Sequence, residues 1–443
     1  MNRRWFSSHS PIAGLCAVAP FCLLLGMLTS CTAELEIRGN ADRVIGETVK
    51  VSLIQGELGI TEEIQLRDAD STDFDKTKLK ASLVDQENLT LVIPADSAAG
   101  DATLRVTTGG DPPQFEVPLS INRMLFTLLG GVVEMHGLSP STISSKIYTN
   151  ATAVTAISLA PDGGHLALLT STALQIFPLS ADPFDQQPLG SQLANGSCLA
   201  ALPSGAIACT STGVTIITIT AGETAFKQFP IGKAIGVSVS KDGSRAVILH
   251  QECGLDGDNK VISADCVTEV VIGENISLGA QNIEIDKTAS ASVISINWEG
   301  TGAVIGDNEK VYGLMFDTLP VHLNSWSWKS DGASVTPVAI ARGRDKDGIP
   351  FFALAESTEN RVWVGAISAN LPSSSVVELR HTGAWTLAQK PTAISFGRYT
   401  DLYISTAAGF YSLDVRGSTS TPATLLTDLP LPKTTINTIA VQP

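Results

Sequence analysis

Seven cysteines, six histidines and 44 carboxylates are the side chains with which this 443-residue chain could do chemistry. Their spacing withholds the common catalytic arrangements. There is no Gly-x-Ser-x-Gly nucleophile turn, no His-Glu-x-x-His, no phosphate loop and no Gly-x-Gly-x-x-Gly. Beyond the first thirty residues the histidines are His136, His165, His250, His322 and His381, no two close enough in sequence to make a local metal pair. No Cys-x-x-Cys occurs, so neither a zinc site nor a dithiol redox centre is expected. The expectation is a chain without catalytic residue, metal or cofactor, whose work is binding.

Carboxylates are the groups that rise above this background. Asp256, Asp258 and Asp265 fall between Cys253 and Cys266; Asp307 and Glu309 share one short segment, and Glu356 and Glu359 another. Carboxylates gathered on one surface attract a cation or a protein with a basic face. Asp68, Asp70, Asp73 and Asp75 alternate as hard oxygen ligands for calcium would, and Asp345-Lys346-Asp347-Gly348 resembles half a calcium loop. Neither has the Glu that closes such a loop, so both read as solvated turns. Trp326 and Trp328 share one strand face with His322 and Asn324, where they would stack on sugars if exposed or pack between sheets if buried.

These groups need elements to position them. With 44% hydrophobic and 16% charged residues the chain has ample core, and its Val, Ile, Thr and Ser runs broken by 38 Gly and 22 Pro favour many short strands. A net charge of −15 without a concentrated basic patch removes nucleic acid from the expected partners.

From about residue 123 onward the chain repeats. Ile157-Ser158-Leu159-Ala160-Pro161-Asp162-Gly163 superposes without gaps on Val237-Ser238-Val239-Ser240-Lys241-Asp242-Gly243 and on Ile294-Ser295-Ile296-Asn297-Trp298-Glu299-Gly300. Looser copies begin at Leu199, near Val338, at Ile394 and at Ile439, and the mean step is 47 residues. Each copy reads as a strand, an acidic-Gly turn in which Gly takes the positive φ, and a second strand. Four strands per such period is the β-propeller pattern. The Ser-x-x-x-Asp-Gly turn resembles the PD40 repeats of bacterial periplasmic propellers, although the Trp-Asp of strict WD40 repeats is missing. Seven copies imply seven blades, with six as the competing count. The final copy is one strand long, so strands before the first copy must complete its blade and close the ring. In that frame the loops holding Asp256, Asp258, Asp265, Asp307, Glu309, Glu356 and Glu359 form an acidic crescent on one face.

The N-terminus is an address. Arg3 and Arg4 precede an apolar run ending Leu28-Thr29-Ser30-Cys31, a secretory signal closing in a motif that resembles the bacterial lipobox. The resemblance implies cleavage before Cys31, acylation of its thiol and anchorage in a lipid bilayer. Thr32 rather than Asp after the cysteine implies the outer membrane. Arg3-Arg4-Trp5-Phe6 holds the core of a twin-arginine signal, which leaves the export route open between that and general secretion. In an oxidising compartment the four remaining cysteines can pair in three ways. Local pairing is expected, Cys198 with Cys209 across a hairpin and Cys253 with Cys266.

Three regions follow: a signal over 1–30, a sandwich over 31–122 and a propeller over 123–443. The sandwich resembles immunoglobulin-like and IPT/TIG-type domains through Leu91-Val92-Ile93-Pro94 and Gly100-Asp101-Ala102-Thr103-Leu104-Arg105-Val106. The fold class is all-β. The leading functional expectation is a monomeric, membrane-anchored scaffold in the cell envelope with a basic protein partner. A carbohydrate or small-ligand binder and a lactonase-like metalloenzyme stand behind it.

Overall fold

The computed structural model describes residues 35–37, 42–53, 61–74, 80–83, 88–95, 97–108, 114–138, 145–148, 152–179, 183–185, 188–192, 196–220, 223–251, 253–255, 261–262, 265–285, 291–296, 300–316, 323–327, 335–344, 347–369, 377–417, 422–426 and 438–442. Cys31 and the segment before it lie outside them. Among the described residues there is no α-helix, only the single 3-10 turn Pro183–Asp185.

Two four-stranded sheets come first. One runs Leu35–Ile37, Thr48–Leu53, Asn88–Val92, Lys80–Leu83; the other runs Asp42–Val44, Gln114–Asn122, Gly100–Thr108, Thr61–Arg67. Alternation places every second residue inward. Val49, Val51, Leu89 and Leu91 of the first sheet therefore meet Leu104, Val106, Leu119 and Ile121 of the second in one buried cluster. Full burial of such a side chain contributes about 1.5–3 kcal/mol. Asp42–Val44, which the sequence pattern does not announce, pairs parallel to Gln114–Asn122.

Seven sheets follow, each beginning with a strand that carries one copy of the repeat. These first strands are Val154–Leu159, Leu199–Leu202, Lys233–Val239, Val293–Ile296, Pro337–Arg344, Pro391–Phe396 and Thr438–Val441. The last pairs with Met124–Leu129, so the C-terminal strand joins a sheet built from Met124–Leu129, Val132–Gly137 and Lys146–Tyr148. Each first strand touches the first strand of the next sheet, and Thr438–Val441 touches both Pro391–Phe396 and Val154–Leu159. Seven apolar clusters each join one pair of neighbouring sheets. A second strand is thus covered on both faces. This is why His165–Thr170 and Gly302–Gly306 read as unbroken buried runs rather than alternating ones.

The repeat's own residues explain the geometry. Gly163, Gly243 and Gly300 take φ of +73°, +71° and +78°, the left-handed conformation the turn requires. Asp162 accepts the Gly164 N–H, and Asp242 accepts the Ser244 N–H together with the hydroxyls of Ser240 and Ser244. Burial works against the Asp242 carboxylate, but these donors outweigh it and hold its pKa below the usual value. The repeated serine has a different task. Ser158, Ser238 and Ser395 accept the N–H of Ala201, Ile296 and Val441, in each case across to the first strand of the next sheet.

The fifth copy is placed two residues beyond Val338. A bulge between Pro337 and Ala339 matches those at Val154/Ala156, Ala234/Gly236 and Pro391/Ala393, which brings Ile340 into register with Ile157.

The two parts are tied at one junction. Gln442 is wholly buried; its side chain accepts from Met124 N–H at 2.9 Å and donates to the Ile45 carbonyl at 2.7 Å. Gly46, at φ +78°, lies so close to the Gly163–Gly164 turn that a Cβ would stand 2.2 Å from the Gly163 carbonyl oxygen. Arg398 reaches from the sixth sheet to Asp70, with Asp68 3.9 Å away. The aspartates that alternate at 68 and 70 thus face a guanidinium. Asp68 also accepts Ala98 N–H and the Ser71 hydroxyl.

Candidate functional site

The first strands of all seven sheets converge on one cavity of about 270 Å³, with Ala95 of the sandwich completing its wall. Its inner part is apolar, built from residues such as Ile157, Val237, Ile394 and Ile439. Its rim lies where the first strands turn, and there the lining becomes basic: Lys241, Arg342, Arg344 and Arg398, with Tyr399 beside them. Among the described residues no carboxylate lines it.

Local structure places each of these cations. Lys241 and Arg398 occupy the first turn residue, where the first sheet has Pro161; the residue before each closes the turn, Ser240 N–H to Arg245 carbonyl and Gly397 N–H to Asp401 carbonyl. The fifth sheet departs from the others. After its bulge Pro337–Arg344 continues two residues further than Val154–Leu159 does, which carries Arg342 and Arg344 over the rim. Arg342 stands where the other sheets have Leu159, Ala201, Val239, Ile296, Phe396 and Val441. Its Nη1 donates across the cavity to the carbonyl oxygens of Val239 and Ile296. Arg398 lines the cavity, pairs with Asp70, and keeps Nε buried with no acceptor among the described residues.

The carboxylates expected to form an acidic crescent divide into buried and exposed groups. Asp256 and Asp258 lie outside the described residues. Asp265, Asp307 and Glu356 are only 5%, 3% and 0% exposed. Asp307 accepts the N–H groups of Glu309 and Lys310 and the Tyr312 hydroxyl; Glu356 accepts those of Thr358, Glu359 and Arg361. Asp265 accepts the Ala291 N–H, and burial raises its pKa with Asp307 adding to the rise. Glu309 is exposed, and Glu359 pairs with Arg361 at 2.5 Å. In the first, second and sixth sheets, Thr170, Thr210 and Thr406 stand at the equivalent turn and bond to its backbone. The carboxylates are therefore turn caps, doing with an acid what threonine does elsewhere in the ring.

Cys198 is bonded to Cys209 and Cys253 to Cys266. The first pair sits directly across a hairpin, with Cys209 N–H donating to the Cys198 carbonyl. The Cys266 bridge fastens the start of Asp265–Val271, beside the loop that carries the small hairpin Gly254–Leu255 and Val261–Ile262.

No family model matches this chain, and no curated protein matches it. Among solved structures it is similar to that titled as a putative 6-phosphogluconolactonase from Bacteroides uniformis ATCC 8492. The two are 10% identical over 72% of this chain and 99% of that one, with a TM-score of 0.53. Two further similar structures are a protein from Lactobacillus plantarum (12% identical, 72% and 99% covered, TM-score 0.48) and the β-propeller domain of Myceliophteria thermophila Cps50 (Swd1) (9% identical, 66% and 97% covered, TM-score 0.43). The likeness is one of fold. The fold is a β-propeller.

His165 and His250 are packing groups of the propeller. His165 Nε2 bonds the Gly205 carbonyl of the next sheet, and His250 Nε2 bonds the Thr268 hydroxyl at 2.9 Å. Burial lowers the pKa of His136, His165 and His250, the last to about 4. Trp328 and His322 lie outside the described residues, while Trp385 and Trp363 sit in or against inter-sheet clusters. Among the described residues no group of three His, Cys, Asp or Glu is placed to hold a metal. The propeller's basic rim was hidden in the sequence because it comes from three separate turns. What could have disclosed it is Arg342, cationic where the aligned copies are small or apolar, followed by Arg344 at the position that Lys241 and Arg398 hold in their own copies.

Proposed function

We propose that this chain is a lipid-anchored binding protein of the bacterial cell envelope, whose propeller holds a small solute in its central channel. The seven sheets are the blades of one ring, closed where Thr438–Val441 joins the N-terminal strands; the cyclic order of inter-sheet clusters supports that count. The preceding sandwich, immunoglobulin-like in its two-sheet build, is a spacer between the bilayer and the ring. Cys31, at the end of the lipobox-like motif, carries the acyl chains, and the signal before it is removed.

The observation that carries the reading is the cavity, to which every inner strand contributes. Its size, about 270 Å³, is just under the roughly 300 Å³ at which sites for drug-sized ligands begin, so its occupant is small. Its described lining offers cations, hydroxyls and apolar walls with which a small solute can be held. A scaffold with an acidic docking face is less well supported, because Asp265, Asp307 and Glu356 spend their oxygens on their own backbone. The test is native mass spectrometry of the full chain isolated from membranes. A recurrent small-molecule adduct, lost on denaturation, is expected together with a tri- or di-acyl mass increment that Cys31→Ser abolishes. A chain recovered without any adduct, which also gains no thermal stability from any member of a metabolite panel, would overturn the binding reading.

A further inference from the structure

We infer that Ser145, His136 and Glu134 form a nucleophilic site on the flank of the sheet that Thr438–Val441 completes, and that its substrate is an ester with an apolar acyl group. The site is separate from the channel and does not depend on what the channel holds.

Strand pairing assembles the three side chains. Val132–Gly137 and Lys146–Tyr148 run antiparallel, with Glu134 opposite Ile147 and Met135 opposite Lys146. One step further in that register, Ser145 stands opposite His136. Side chains alternate along a strand, so Glu134 and His136 share one face. On that face the ring of His136 lies 6.4 Å from the ring of Phe410 in the sixth sheet, while Val133 and Met135 pack the other way, against the first sheet. His136 is only 2% exposed, and its Nδ1 lies 3.2 Å from the Ser145 hydroxyl. Its Nε2 is buried with no hydrogen-bond partner among the described residues, and the Glu134 carboxylate stands 3.4 Å away. His165 and His250 are placed differently. They bond a backbone carbonyl and the buried hydroxyl of Thr268, whereas His136 touches a hydroxyl that solvent reaches.

That arrangement suits nucleophilic attack. A hydroxyl hydrogen donated to Nδ1 leaves the ring hydrogen on Nε2, the nitrogen near Glu134. Burial lowers the His136 pKa and keeps the ring neutral and able to accept a proton, while the Glu134 carboxylate favours the charged ring that forms during attack. Ser145 Oγ attacks the acyl carbon as its proton passes to Nδ1, and the carbonyl electron pair moves onto oxygen. Collapse of the tetrahedral adduct breaks the bond to the leaving oxygen, which takes the proton from Nδ1 and departs as the alcohol. Water repeats the sequence on the acyl-serine, releasing the carboxylic acid and restoring the hydroxyl. The neighbouring surface gives the substrate class. Ile147, on the same face as Ser145, is 66% exposed, the most of any large hydrophobic side chain described, and offers an acyl chain a place to lie. Glu134 beside it favours a neutral ester over an anionic one.

The full chain treated with an alkyl fluorophosphonate, with the labelled peptide mapped by mass spectrometry, tests the assignment together with hydrolysis of p-nitrophenyl acetate and octanoate. Labelling at Ser145 and hydrolysis above the buffer rate are expected, and S145A should abolish both. E134Q, at a partly exposed position, should slow labelling by about 10- to 100-fold without moving the thermal melt, because it weakens the base rather than the fold. Among the described residues Glu134 is the charged group bearing on the ring; Lys146, opposite Met135, lies on the other face. The labelling rate should therefore fall as pH drops below about 6.5, and E134Q should move that fall to lower pH. I147S should reduce the preference for octanoate over acetate by about fivefold. S325A, at another exposed serine, should change nothing. The assignment falls if Ser145 takes no label, if labelling is equally fast in E134Q, or if ester hydrolysis survives in S145A.

Discussion

The propeller has two sets of hairpin turns, one at each end of its strands, and both carry charge. At the end where second strands meet third strands, Asp307 and Glu356 fold back and bond to their own turns, and Asp265 bonds the Ala291 N–H; all three are almost wholly buried. At the opposite end, Lys241, Arg342, Arg344 and Arg398 extend toward a common cavity. A charged residue in a turn is thus two different things. Where an unpaired row of N–H groups lies within reach, a carboxylate is consumed by it and becomes part of the frame. A cation cannot be consumed in that way, since a turn offers it only neutral carbonyls; Arg342 reaches the carbonyls of other strands and Arg398 a carboxylate of the sandwich.

Breaking a cap is the harshest test of that distinction. Glu356→Ala removes a fully buried acceptor from three N–H groups, those of the exposed Thr358 and the part-buried Glu359 and Arg361. A buried donor left unsatisfied costs about 1–3 kcal/mol, and since water reaches part of this turn a total loss of about 2–3 kcal/mol is expected in urea unfolding. Glu356→Gln keeps one acceptor oxygen and should lose roughly half as much. A loss below about 1 kcal/mol for Glu356→Ala would show that the side chain is not a cap and would return it to the surface-facing role expected from sequence alone.

Acidification separates the two ends by a second route. His136, His165 and His250 are buried neutral, with pKa values below the ordinary histidine value, His250 at about 4. Between pH 6.5 and about 4 the unfolded chain binds protons that the folded chain refuses, so stability falls as pH falls through that window. The His250 contribution is present in full above pH 6.5, and its loss, at most about 3 kcal/mol, is complete near pH 4. Asp265 and Asp401 oppose it with raised carboxyl values, but only toward the acid end of the range. Thermal melts from pH 7.5 to 5 should therefore drop steadily. A melting temperature that does not move with pH would mean that the histidines ionise freely in the fold.

Much of this frame was legible from residue types. The turn glycines are fixed by their positive φ, the disulfide across the hairpin at Cys198 follows from strand pairing, and the single strand at Ile439 has nowhere to pair except at the start of the ring. The repeated serine was visible, but its purpose was not. It bonds a neighbour 43 or 58 residues further on, and nothing local reveals that N–H. The caps misled for a related reason. Aspartate and glutamate in a turn look solvent-bound until Thr170, Thr210 and Thr406 are seen to hold the same place, an equivalence that emerges only when strands are registered by their bulges. The basic rim was least legible. A two-residue lengthening of one hairpin places the copy at Ile340 rather than Val338, and the arginines it delivers converge with Lys241 and Arg398 only once the ring closes.

The finest test lies where the two kinds of charged residue meet. Asp70 is a largely exposed carboxylate of the sandwich and Arg398 a cation of the rim; they pair across the junction. An exposed ion pair of this kind contributes about 0.2–1 kcal/mol, so Asp70→Asn should barely shift the urea midpoint. Its effect on the channel should be the larger one. With Asp70 neutralised, Arg398 keeps only Asp68, 3.9 Å away, on the sandwich side, and the affinity of the channel for a negatively charged member of the metabolite panel is expected to rise by about two- to fivefold, an effect that shrinks with added salt. Asp73→Asn, in the same loop and exposed, changes the net charge equally and serves as the control. An equal rise in both variants would attribute the effect to bulk charge alone. A rise confined to Asp70→Asn would make the junction part of the site, with Arg398 a residue for which the sandwich and the ligand compete.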